Sequence, residues 1–277
     1  MYLSNLLIDL GTDPDRPRPG RLWLRNVYHV HQRLCMGFPA PSRKEDDPEF
    51  LMPFHPDDFP QIGEGKPAQP SRSPGHGFLF RVDPLPAGRA VILLQSAARP
   101  DWNYAFQNAR MFLAADPEVR EFSPAFATGD TLRFRIRINL SKKSRTSNDG
   151  VDLRTPRPGL DKLGRERSQS KRVALTWDKD RDRDEAVREW FESKGTRNGF
   201  TVSEFQVVNV GWVVGNRPKT KAQSEGDNDS GRRIEFRSAL LEGTLTVADA
   251  ELFAHALALG IGSAKAFGFG LLSVMRA

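Results

Sequence analysis

Residues 131–140 read TLRFRIRINL. Leu132, Phe134, Ile136 and Ile138 fall on one side of this stretch, and Arg133, Arg135 and Arg137 on the other. Strict alternation over ten residues is the signature of a β-strand with one face in a core. Alternate side chains on a strand repeat at roughly 6.6 Å. The three guanidiniums would therefore form a row able to follow a phosphate backbone. The other reading is a sheet surface whose arginines pair with acids on a neighbouring strand. Lys142, Lys143 and Arg145 follow immediately and favour a polyanion.

The charge around this strand supports that direction. Residues 131–172 hold 13 Lys or Arg against four Asp or Glu, leaving 28 against 31 in the rest of the 277-residue chain. A basic segment on a nearly neutral body is the electrostatic footprint of a nucleic-acid partner, although a solvated loop would share it. One cysteine, Cys35, excludes an intramolecular disulfide and the multi-cysteine type of zinc site. The first residues, MYLSNLLIDLG, lack a basic leader and read as a strand. No run of about 20 apolar residues is present, so the expected protein has no membrane span and is cytoplasmic.

Strand-like and helix-like segments alternate outward from residues 131–140. Residues 2–9 read as a strand. Asn26 is the expected N-cap of a helix from about Val27 to Met36, stopped by Gly37. Residues 40–76 are rich in Pro, Gly and acids and read as a long surface insertion, partly disordered. GFLFRVD and AVILLQSA read as strands, and Trp102–Leu113 as a short helical piece. Residues 141–172 read as a long basic loop. DRDEAVREWFESKG reads as a helix ended by Gly195, with Ala186, Val187, Trp190 and Phe191 on its apolar face. FQVVNVGWVVG and RIEFRSALLEGTLTV read as strands flanking a polar tip, ADAELFAHALALG as a helix, and FGLLSVM as a last strand. Each half then follows β-α-β-β-α-β, the ferredoxin-like or RRM-like arrangement. The expected fold class is α+β with two tandem ferredoxin-like domains, residues 1–128 and 129–277.

Two segments carry residues suited to chemistry. On the helix at 27–36, Val27, Val30 and Leu34 form the expected buried stripe, and Tyr28, His31 and Cys35 share the stripe beside it. Tyr28 and His31 lie in the first turns, where free backbone N–H groups favour a phosphate. An imidazole with an ordinary pKa of about 6.5 suits proton transfer near neutral pH. A half-buried histidine bonded to a carbonyl is the competing reading. The second segment is GIGSAKAFGFGLL near the C-terminus. A dinucleotide-binding motif needs a strand before it and a helix after it, and here that order is reversed. Lys265-Ala266-Phe267-Gly268-Phe269 is similar to part of an RNP1 motif, but Gly270 and Leu272 depart from it. A backbone-rich loop able to approach phosphates remains, alongside a purely structural glycine loop. The remaining histidines show no paired metal-ligand spacing. Cleavage of RNA without a metal is still open, because the 2′-hydroxyl is an internal nucleophile.

Together these segments resemble the repeat-processing endoribonucleases of type I-E CRISPR systems, the CasE family. The resemblance runs the length of the chain: MYLSNLLID, NVYHVHQRLCMGFP, FLFRVD, ILLQSA, LRFRIRINLSKK, KRVAL, LLEGTLTV and GIGSAKAFGFGLLSV, in that order. It implies binding of the stem-loop of CRISPR repeat RNA and metal-independent cleavage at the base of the stem. It also implies a 2′,3′-cyclic phosphate, no cofactor, and retention on the mature crRNA with the other subunits of the Cascade complex. The free protein would be monomeric. By the same resemblance the catalytic histidine is His31, the active-site tyrosine Tyr28, and the basic residue of an N-P-x-K stretch Lys142, with Leu140 in place of the proline. The lysine of the glycine-rich loop is Lys265, with Ser263 where proline is usual. Arg133, Arg135, Arg137, Lys143, Arg145, Lys171, Arg172, Arg217, Lys219, Lys221, Arg232, Arg233 and Lys265 are the expected RNA-binding set. The insertions at about 40–76 and 216–231 have no assigned role. Two rivals are a non-catalytic RNA-binding subunit using the same basic surface, and a nucleotide-cofactor enzyme using the glycine loop.

Overall fold

The computed structural model describes residues 1–16, 18–54, 77–144, 157–160, 166–167, 171–175, 177, 182–217 and 232–277. In the first half the elements are β1 (Tyr2–Asp9), α1 (Pro19–Leu24), α2 (Val27–Cys35), α3 (Pro41–Asp46), β2 (Phe78–Leu85), β3 (Arg89–Ser96), α4 (Trp102–Ala105) and β4 (Glu118–Glu121). The second half contains β5 (Thr131–Asn139), β6 (Ser141–Ser144), β7 (Arg157–Leu160), β8 (Glu166–Arg167), β9 (Lys171–Ala174), α5 (Arg183–Arg197), β10 (Phe200–Arg217), β11 (Arg232–Val247), α6 (Ala250–Leu259) and β12 (Leu272–Arg276).

Two four-stranded antiparallel sheets carry the fold, with strand orders β2-β3-β1-β4 and β10-β11-β5-β12. In each half the first strand lies between the third and the fourth, which is the ferredoxin-like topology twice over. Each sheet has its own apolar core. Leu6, Ile8, Val30, Leu34, Phe78, Phe80, Ile92 and Phe106 belong to the first. The alternation read at residues 131–140 places Leu132, Phe134, Ile136 and Ile138 in the second, with Phe191, Phe200 and Phe253.

Several expectations are corrected. The stretch from residue 40 is not a loose insertion at its start. Arg43 and Asp47 on and after α3 form a buried ion pair at 2.8 Å, Asp47 accepts from the backbone of Leu51 and Met52, and Phe50 is buried. One arginine–carboxylate pair thus organises a turn that composition alone marks as coil; residues 55–76 lie outside the described residues. Gly195 does not end α5, which runs on to Arg197, because Gly195 is where the helix passes close to Phe200. The expected helix at 102–113 is a single turn, α4, followed by a 3-10 turn at Arg110–Phe112. The start of the basic loop at 141–172 is ordered as a ladder, β6 pairing antiparallel with β9. The polar tip is shortened at both ends, since Arg217 pairs with Arg232 in the β10–β11 ladder. α1 and β4 carried no marker in the sequence.

Candidate functional site

α2 begins where expected. Asn26 accepts from the backbone N–H of Tyr28 at 3.1 Å, an N-cap that satisfies one of the free donors of the first turn. The same side chain reaches the other half. Its Nδ2 donates to Asn216 O at 3.2 Å, and the Asn216 N–H donates to Asn26 Oδ1 at 3.1 Å. Gly215 makes this approach possible, since a Cβ there would lie 2.9 Å from Val27 Cγ2. Val27, expected in the core stripe, is instead only half buried against this contact, while Val30 and Leu34 are fully buried.

His31 lies at the rim of the first core. Its ring stacks on Phe78, with centroids 5.8 Å apart, and Cys35 Sγ is 3.7 Å from Nε2. Burial pushes the imidazole down from 6.5 to about 4 and pushes the Cys35 thiol up to about 12. At neutral pH His31 is therefore an uncharged imidazole, able to take a proton. Tyr28 is half buried one turn earlier on α2, and His29 points into solvent.

The glycine-rich segment closes on itself and then packs against α2. Ile261 N–H donates to Gly270 O at 2.9 Å, and Gly270 N–H to Arg137 O at 2.8 Å. Gly270 has φ +87°, and a Cβ would stand 2.6 Å from Ile261 O, so glycine is required there by conformation and by space. The 3-10 turn Lys265–Phe267 within this loop packs on α2 and β2. Burial lowers the Lys265 ammonium below its ordinary value. Ser263 ties the loop to the end of β5: Asn139 Nδ2 donates to Ser263 Oγ at 3.1 Å, and Ser141 Oγ is 2.9 Å from it. Trp190 Nε1 donates to Ser141 O at 3.2 Å. Lys142, exposed, follows Ser141 directly. Three segments remote in sequence thus converge: the helix of Tyr28 and His31, the turn of Lys265, and the strand start of Lys142.

The arginine row on β5 is not a row of free cations. Arg133 is exposed. Arg135 stands opposite Glu242 in the β11 ladder and pairs with it at 2.8 Å. Arg137 turns to the first half, donating to Val82 O at 3.4 Å and to Ser238 Oγ at 3.3 Å. The reading in which neighbouring strands supply acids therefore describes Arg135, and the seam between halves claims Arg137. Arg233 is exposed and pairs with Glu235 at 2.7 Å. Lys143, Lys171 and Arg172 are adjacent through the β6–β9 register, and Arg217 and Arg232 through that of β10 and β11. Arg145, Lys219 and Lys221 lie outside the described residues.

Sequence reasoning missed the residues that join the halves. Arg81 on β2 is 3% exposed, pairs with Asp83 at 2.8 Å and donates to Ser273 Oγ at 2.8 Å and Arg135 O at 3.1 Å. Gln95 Nε2 donates to Leu257 O at 2.7 Å. Two opposite charges two residues apart in the strand segment FLFRVD, Arg81 and Asp83, were the available signal for this pair. Among the described residues, no group of three or more His, Cys, Asp or Glu is placed to hold a metal ion, and no helix is long and apolar enough to cross a membrane.

Fold and site together define a tandem ferredoxin-like protein that sets a histidine-bearing helix against a lysine-bearing glycine loop at the seam of its two sheets. The family model described as CRISPR associated protein matches residues 1–276. The chain belongs to that family, in the CasE group of type I-E systems that its motifs resemble. It is 26% identical over 198 residues to the CRISPR-associated endoribonuclease Cse3 of Thermus thermophilus, covering 71% of this chain and 79% of the relative. The solved structure of CRISPR endoribonuclease Cse3 bound to 19-nucleotide RNA matches with a TM-score of 0.62 and 25% identity, over 100% of both chains. The crystal structure of Cas6e from Escherichia coli K-12 shares the fold, with a TM-score of 0.52 and 23% identity over 100% of both chains.

Proposed function

We propose that this protein is a metal-independent endoribonuclease that cuts CRISPR precursor RNA at the base of the repeat stem-loop and stays on the mature crRNA as a subunit of Cascade. The observation that carries the reading is the packing of the helix of the rim-buried His31 against the turn of Lys265, whose loop is tied through Ser263 to the strand start at Ser141. Membership of the CRISPR-associated family supports the substrate, as does the likeness to an endoribonuclease solved with RNA.

The chemistry follows from the groups present. The 2′-oxygen attacks the adjacent phosphorus in line, the O2′–P bond forms and the P–O5′ bond breaks, giving a 2′,3′-cyclic phosphate and a 5′-hydroxyl. His31, uncharged at neutral pH, accepts the proton of the 2′-hydroxyl as general base. The departing 5′-oxygen takes up a proton from the imidazolium so formed or from solvent. Tyr28 orients the ribose or phosphate, and Lys142 and Lys265 offset charge building on the phosphorane oxygens. Residues 1–128 supply the catalytic helix, and residues 129–277 the basic surface and the glycine loop. An A-form stem is held by shape and phosphate contacts to Arg133, Arg233 and the basic residues of the β6–β9 and β10–β11 ladders. Arg145, Lys219 and Lys221 of the expected set would add to that surface.

Incubating the protein with its repeat hairpin in EDTA should give a product ending in a cyclic phosphate. A 2′-deoxy nucleotide at the cut should block it. Tight binding of the hairpin with no product at any pH would replace this reading with a non-catalytic RNA-binding subunit.

A further inference from the structure

The seam holds a cavity of about 290 Å³ that the proposed mechanism does not use. Its walls include Arg25, Val27, Arg137, Trp212, Val214 and Phe267. Its lining contains two arginines and no acid. The volume lies at the small end of ligand pockets, roughly 300–1,000 Å³, so it admits a single planar group and not a duplex. Val27 is four residues before His31, about 6 Å along the axis of α2.

Two features of the walls point to what enters. Trp212 is 62% exposed although it lies on a strand of the second sheet. It stands opposite Arg237 in the ladder, with the Arg237 guanidinium 5.8 Å from its ring and 3.6 Å from that of Trp177. The indole is thus backed by a held cation and leaves most of its surface open, the form of a stacking platform. Arg137 is the second feature. Among the described residues its Nε is buried with no hydrogen-bond partner, and its bonds to Ser238 and Val82 are long, 3.3 and 3.4 Å. Asp83 is engaged by Arg81 at 2.8 Å. A guanidinium so poorly satisfied at a cavity wall favours a ligand that brings acceptors.

We propose that this cavity takes one unpaired nucleotide flanking the repeat stem, its base stacked on Trp212 and its acceptor edge or phosphate held by Arg137. The inference rests on the reading of the protein as a repeat-RNA endoribonuclease. It adds a contact to single-stranded RNA beside the scissile bond, separate from the recognition of the stem. Stacking on an aromatic platform is sequence-tolerant, so the pocket would position the strand without reading its base.

The test compares two RNAs on the full chain: the repeat hairpin with its single-stranded flanks, and the hairpin trimmed to the stem-loop. Trp212→Ala should weaken binding of the flanked RNA about tenfold and leave the trimmed hairpin unchanged. Trp212→Phe should keep most of the affinity. An abasic nucleotide at one flank position should reproduce the loss for the wild type and add nothing to it in Trp212→Ala. Equal losses on both RNAs, or none on either, would overturn the inference while leaving the nuclease reading intact. Failure of the wild type to bind either RNA would remove both.

Discussion

Asn26 and Asn216 exchange two hydrogen bonds, at 3.2 and 3.1 Å, across 190 residues of chain. One side chain therefore caps the helix of Tyr28 and His31 and bolts that helix to β10 of the other half. The orientation of the histidine is tied to the relative placement of the two sheets.

Asn26→Ala should remove the cap and the bolt together, costing about 1–2 kcal/mol in urea unfolding. Asn26→Asp keeps an acceptor for Tyr28 N–H but loses the donor to Asn216 O. It should retain more than half of that stability yet cleave more slowly than wild type. Equal rates for Asn26→Asp and wild type would show that the junction does not position the helix.

His31→Ala should abolish single-turnover cleavage and leave hairpin affinity within about threefold, because its ring contacts Phe78 and Cys35 and, among the described residues, pairs with no charge. As a base with a pKa of about 4 in the free protein, His31 should give a log kcat/KM that is flat from pH 6 to 8 and falls below about pH 4. A profile that instead declines with rising pH across 5 to 8 would assign it the acid role.

The same group predicts an acid-sensitive fold. Its folded pKa, about 4, is below the unfolded value of 6.5, so the unfolded chain binds the extra proton between them. The stability it contributes is complete above pH 6.5 and is lost as pH falls through 4, about 3 kcal/mol at most. Urea melts of wild type and His31→Gln at pH 7.5 and 4.5 should show the larger loss in wild type. Parallel losses would mean that the imidazole is not held neutral.

Lys265→Ala and Lys142→Ala address the charge on the phosphorane. Each should slow cleavage by about 10- to 1,000-fold with a much smaller effect on hairpin affinity, the pattern of a group used mainly in the transition state. Lys265→Ala should not destabilise the fold, because burial disfavours its ammonium. A loss of affinity matching the loss of rate would make these lysines binding contacts only.

Arg81 joins the sheets through Ser273 and the backbone of Arg135, with Asp83 as its counter-charge. Arg81→Met leaves Asp83 buried without its partner and should cost about 3–5 kcal/mol. Removing Asp83 as well, as Asp83→Leu in the double variant, should recover much of that loss. If the double variant is as unstable as the single, the bonds to the second half matter more than the ion pair.

Most of the strands, the N-cap at Asn26 and the glycine loop were legible in the chain alone, because these rest on local rules. Alternation at Leu132 through Ile138 places a strand in a core wherever that core lies, and an asparagine before an apolar helical period caps it in any context. The resemblance to the CasE family, carried by the order of motifs, implied that Tyr28, His31, Lys142 and Lys265 act as one set. What each cation meets was set by long-range packing alone. Arg133, Arg135 and Arg137 are equivalent by period, yet one is exposed, one is paired with Glu242 and one is drawn into the seam toward Val82. The pairing of β11 beside β5 and the docking of β2 against it are long-range, and no local pattern encodes the neighbour. The same holds for His31. Its place on the helix was legible, but its low pKa comes from Phe78 and the core around it, which only the packed fold brings to the imidazole.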